Sequence, residues 1–70
     1  PHATLYLRIE NANCKAEVLS FSQDYPGNIP LILYLSDIGR YETKAAAQIS
    51  TEIINPLKER WGTENVVLKM

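Results

Sequence analysis

The sequence predicts a small α+β domain, with strands and helices in the order strand, helix, strand, strand, helix, strand. Three observations carry that expectation. Residues 4–10 alternate apolar and polar with period two, the mark of a half-buried strand. Residues 31–35 are apolar or aromatic throughout, as in a strand covered on much of both faces. Between the strand-like segments, apolar residues recur at helical spacing: Cys14, Val18, Phe21 and Tyr25, then Ile53, Leu57 and Trp61. The 70 residues make one domain, and a chain this short buries a modest fraction of its surface. Its 46% hydrophobic content is that of a globular chain and argues against disorder.

In the first strand Leu5, Leu7 and Ile9 point one way, and Thr4, Tyr6, Arg8 and Glu10 the other. Asn11-Ala12-Asn13 reads as a turn in which Asn13 caps the first helix. Asp24-Tyr25-Pro26-Gly27 ends that helix, because the residue before a proline avoids the α region. Pro26 presets φ for a β-turn, and Gly27 suits the positive φ of a type II turn at the next position. Pro30 donates no ladder hydrogen bond and belongs at the start of the second strand. Asp37 and Gly39 form a turn, and residues 40–44 return as a third strand in a hairpin.

Two readings compete beyond that turn. Tyr41, Ala45, Ile49, Ile53, Leu57 and Trp61 recur at every fourth position, and Ala45-Ala46-Ala47 are strong helix formers, so one helix over residues 42–61 is a rival. A strict spacing of four drifts around a helix of 3.6 residues per turn, and Ser50-Thr51-Glu52 reads as a fresh N-cap. The favoured reading is strand, loop, helix. Pro56 then either kinks that helix or opens a new turn capped by Asn55; the bent helix is preferred, with Gly62 closing it. Residues 65–70 form the last strand, with Val66, Leu68 and Met70 on one face and Val67 and Lys69 on the other.

With short loops and right-handed crossovers this order implies a split β-α-β, ferredoxin-like sandwich: a four-stranded antiparallel sheet with two helices on one face. The expected core is Leu5, Leu7, Ile9, Val18, Phe21, Leu31, Leu33, Leu35, Ile53, Leu57, Trp61, Val66 and Leu68.

The net charge of −1 gives no basic excess for nucleic acid, and no apolar run is long enough to span a bilayer. A single cysteine allows no internal disulfide and suits a reducing compartment. The chain starts at Pro1 without a signal-like region and is expected to be either processed or, the favoured reading, a fragment of a larger polypeptide. His2 has no nearby partner for a ligand or base role, and Cys14 reads as a small packed hydrophobe. No phosphate loop, nucleophile elbow or metal motif occurs, and Glu52, Glu59 and Glu64 are dispersed acids on a solvated face. No catalytic residue, cofactor or metal site is expected. The open sheet face is the candidate binding surface, carrying Tyr6, Arg8, Ile32, Tyr34, Val67 and Lys69. Aromatics beside a base suit stacking of RNA bases, but Gly39-Arg40-Tyr41-Glu42-Thr43 does not match the basic-Gly-aromatic signature of an RNA-recognition motif. Aromatics and arginine also suit protein docking.

Two segments together resemble a known family. Tyr25-Pro26-Gly27-Asn28-Ile29-Pro30-Leu31-Ile32-Leu33-Tyr34-Leu35 resembles the Pro-Gly strand near the C-terminus of the bacterial DNA polymerase III α subunit, the replicative polymerase. Leu57-Lys58-Glu59-Arg60-Trp61-Gly62-Thr63-Glu64-Asn65-Val66-Val67-Leu68-Lys69 resembles the segment that closes such chains, and Leu5-Tyr6-Leu7-Arg8-Ile9 the strand that begins the region. Residues 41–48 depart from the family's basic-apolar pattern. The resemblance implies a cytoplasmic C-terminal accessory domain, with the polymerase's catalytic carboxylates far upstream. It implies docking of the clamp-loader τ subunit, alongside other replisome proteins and the rest of the polymerase chain. The rival expectation is a stand-alone binding domain of the same topology: an ACT-like amino-acid sensor, although Asn11-Ala12-Asn13 lacks the expected glycine, or a degenerate RNA-recognition motif.

Overall fold

The computed structural model describes residues 3–42 and 48–70. Its elements are β1 (Thr4–Ile9), a 3-10 turn (Ala12–Cys14) leading into α1 (Lys15–Ser22), β2 (Pro26–Leu35), β3 (Arg40–Glu42), β4 (Gln48–Ile49), a 3-10 turn (Thr51–Ile53) running into α2 (Ile54–Trp61), a third 3-10 turn (Thr63–Asn65) and β5 (Val66–Lys69). Among the described residues this is a small α+β domain of two α-helices and a mixed sheet of five strands.

The sheet runs β3-β2-β1-β5, with β4 paired to the start of β2. β1 lies parallel to β2, setting Leu5, Leu7 and Ile9 beside Leu31, Leu33 and Leu35. β5 runs antiparallel to β1, with Val66 beside Leu7, and β3 runs antiparallel to β2, with Arg40 beside Leu35 and Glu42 beside Leu33. The expected all-antiparallel sheet is therefore corrected to a mixed one, and the ferredoxin-like arrangement is not confirmed. A split β-α-β places the third strand between the first two, whereas β3 lies outside β2. Side-chain chemistry accounts for this. The register turns Arg40 and Glu42 toward the helix-covered face. Between β1 and β2 both charges would be buried at high cost. At the edge Arg40 is exposed, and Glu42 is half-buried with Lys15 Nζ 3.9 Å away.

The core fills the space between sheet and helices. Leu5, Leu7, Ile9, Leu31, Leu33 and Leu35 meet Val18 of α1 and Ile53 and Leu57 at the second helical segment, with Val66 closing the β5 side. Phe21 and Trp61, expected inside, are half-buried and touch ring to ring at 5.6 Å where α1 meets α2. Glu17 and Arg60 pair across the same helix contact. Leu68 faces the core side but is 36% exposed, because β5 is an edge strand.

Two buried residues, Ile29 and Ile49, are absent from the expected core. They meet where β4 pairs with β2, and the ladder there is irregular: Pro26 and Ile29 both oppose Ile49. This replaces the expected turn at Pro26-Gly27. Ser50 N–H donates to the Tyr25 carbonyl at 2.9 Å, drawing the two backbones together. A Cβ on Gly27 would stand 2.4 Å from the Ile49 oxygen, so Gly27 serves close approach rather than positive φ. The turn at residues 36–39 forms as expected, with Gly39 at φ +64°.

Helix ends differ in detail. The first cap is Asn11, whose Oδ1 accepts from Asn13 N–H at 2.9 Å, two residues earlier than expected. Ser50 caps the 3-10 turn at Thr51 in an extended conformation, without a side-chain bond. Asn55 does not open a new turn, since α2 begins at Ile54. Pro56 is the third residue of α2, in the first turn, where its missing N–H breaks no bond; the chain changes from 3-10 to α just before it. Gly62 closes α2 through its N–H to the Lys58 carbonyl at 2.9 Å. Glu42 and Gln48–Ile49 are strand, which removes the single helix over residues 42–61. The rest of the expected third strand (Thr43 and Lys44), Ala45-Ala46-Ala47 and His2 lie outside the described residues.

Candidate docking face

The sheet face turned away from the helices is built by alternation. Because Leu5, Leu7 and Ile9 are inward, Tyr6 and Arg8 are outward; Ile32 and Tyr34 follow on β2, and Val67 and Lys69 on β5. All six expected residues share this face. Their register forms rows: Thr4 beside Lys69, then Ile32, Tyr6 and Val67 together, then Tyr34 beside Arg8.

Tyr41 is absent from the residues expected here and joins them. It lies opposite Tyr34 in the β2–β3 hairpin, with ring centroids 4.9 Å apart and an interplanar angle of 61°. Its ring also meets Tyr6 edge-on, at 5.7 Å and 72°. The signal lay in the turn. With residues 36–39 as the turn, Leu35 pairs with Arg40, and so Tyr34 with Tyr41.

Tyr6, Ile32, Tyr41, Val67 and Lys69 line one open concavity of about 510 Å³. Tyr34 touches it only through Tyr41. Arg8 instead borders a neighbouring cleft of about 370 Å³ with Glu10, Ser36, Glu64 and Asn65. Glu52, Glu59 and Glu64 are all exposed, as expected from sequence, and Glu64 lines the cleft with Glu10 beside Arg8. Arg8 and Lys69 are exposed and make no ion pair among the described residues. The tyrosine contacts each contribute about 0.5–1.5 kcal/mol beyond simple burial and hold the rings in place.

Cys14 is half-buried and packs against the core, in line with its reading as a small hydrophobe. Among the described residues no group of His, Cys, Asp and Glu is placed to hold a metal ion, and no helix is long and apolar enough to cross a membrane. The arrangement can offer shape, ring edges and two cations to a partner. No family model, curated protein or solved structure matches the chain.

Proposed function

We propose that this chain is a non-catalytic protein-docking module working through the open sheet face. The observation that carries the reading is the packed tyrosine cluster beside an apolar concavity, with Lys69 at its rim and Arg8 in the next cleft. Rigid aromatics with arginine nearby are the residues that dominate protein interfaces. The resemblance of residues 25–35 and 57–69 to the terminal region of the bacterial replicative polymerase α subunit supports a specific partner. That partner is the clamp-loader τ subunit, with the chain acting as the C-terminal accessory domain of a polymerase in the bacterial cytoplasm. Catalysis then belongs to other domains of that polypeptide. The amino-acid-sensing and RNA-recognition alternatives share the split sheet order expected for the whole chain, so direct β1–β2 pairing departs from all three readings alike and the choice among them rests on the open face.

Binding of the chain to purified τ, measured by calorimetry, tests this. Wild-type chain should bind, and Tyr34→Glu should weaken binding at least tenfold while keeping its circular dichroism spectrum. A folded Tyr34→Glu that binds as well as wild type sinks the face assignment; no wild-type binding sinks the partner.

A further inference from the structure

We propose that the open face takes an extended acidic peptide, with one apolar side chain in the concavity and carboxylates to either side reaching Lys69 and Arg8. This rests on the docking reading above and adds the partner's chemistry. The row of Tyr6, Ile32 and Val67 is apolar, and Lys69 stands at the concavity's rim. Lys69 pairs with Thr4, and Arg8 follows four residues along the same strand. At about 3.3 Å per residue the two cationic rows are roughly 13 Å apart, the span of four residues of extended chain. Acidic residues two positions either side of an apolar one fit that spacing.

The ring geometry favours a peptide over nucleic acid. Base stacking needs flat, accessible ring faces. Here Tyr41 meets Tyr6 and Tyr34 at 72° and 61°, so the three rings do not lie flat as one stacking platform. The net charge of −1 also lacks the basic excess that phosphate binding draws on. The two cations are unequal. Glu10 and Glu64 share the cleft beside Arg8 and offset it, whereas no acidic residue lines the concavity beside Lys69.

The probe is the synthetic peptide acetyl-Asp-Ser-Leu-Ser-Asp-amide, titrated into the isotope-labelled 70-residue chain and followed by amide shifts. Shifts should map to Tyr6, Ile32, Val67 and Lys69. Lys69→Glu should weaken binding by roughly fivefold, the scale of one exposed charge pair, and Arg8→Glu by less. Equal shifts from the counterpart peptide with lysine in place of aspartate overturn the proposal, as do shifts away from this face. An eight-nucleotide oligothymidine that shifts these amides where the peptide does not also overturns it, in favour of nucleic acid. If τ binding falls in Tyr34→Glu but is unchanged in Lys69→Glu, the acidic chemistry fails while docking stands. If the acidic peptide maps to the face and τ does not bind, the named partner fails while the peptide chemistry stands.

Discussion

Gly27 is where side-chain size decides the local structure. Pro-Gly is ordinarily a turn signal, yet here Gly27 lies inside β2 with the β4 backbone against it. The pressure on the position comes from Ile49 and Ser50, more than twenty positions away, and no local pattern reveals it. A methyl group at 2.4 Å from a carbonyl oxygen forces the strands apart. Gly27→Ala should therefore cost about 3 kcal/mol, the upper range for overpacking a filled site. Gly39→Ala should cost only about 1 kcal/mol, because its left-handed φ is its only demand. Its added Cβ would meet nothing nearer than the Tyr34 hydroxyl at 3.6 Å. Urea unfolding of the two variants checks the order, and equal midpoints would remove the close-approach account. Tyr41 teaches the complementary lesson. Its place beside Tyr34 follows from counting back through a four-residue turn, so the information was local and legible.

The strands with strong period were legible as elements; the short ones were not. β1 and the apolar half of β2 declare themselves by alternation and by an unbroken apolar run. β4 is two residues long and contributes one buried side chain, Ile49, too little to make a period. Its importance comes from position, since it ties the start of β2 to the segment that leads into α2. Ile49→Ala should cost about 3 kcal/mol, as for other fully buried branched residues, despite lying in so short a strand. α2 supports the opposite expectation. Pro56 looks like a helix breaker by residue type, but in the first turn it forfeits no hydrogen bond. Pro56→Ala should shift stability by less than about 1 kcal/mol, whereas relieving an interior proline would stabilise by about 3 kcal/mol. Chemical denaturation of both variants separates these cases, and a large gain from Pro56→Ala would place the proline inside the helix after all.

At the scale of the whole molecule, alternation reveals which face of a strand is buried but not which strands are neighbours. The order β3-β2-β1-β5 depends on which strand can tolerate the middle, and Arg40 and Glu42 exclude β3 from it. That exclusion becomes visible only when the hairpin register turns both charges toward the helices. The open face survives the change of order because side-chain alternation is independent of strand sequence in the sheet. The core list is likewise sound at the centre and weakest at the edge. Leu7 and Leu68 look equivalent by pattern, both inward on alternating strands. Leu7 is fully buried between Leu33 and Val66, whereas Leu68 is 36% exposed on edge strand β5. A domain of this length has a total stability of roughly 4–10 kcal/mol. Leu7→Ala should remove about 4 kcal/mol of it, and Leu68→Ala less than about 1 kcal/mol, because an exposed edge leaves little cavity. At about 4–8 °C per kcal/mol, the Leu7 variant should melt at least ~15 °C lower than wild type and the Leu68 variant only a few degrees lower. Comparable drops in a thermal melt would mean that Leu68 is covered in solution, and the edge position assigned to β5 would lose its support.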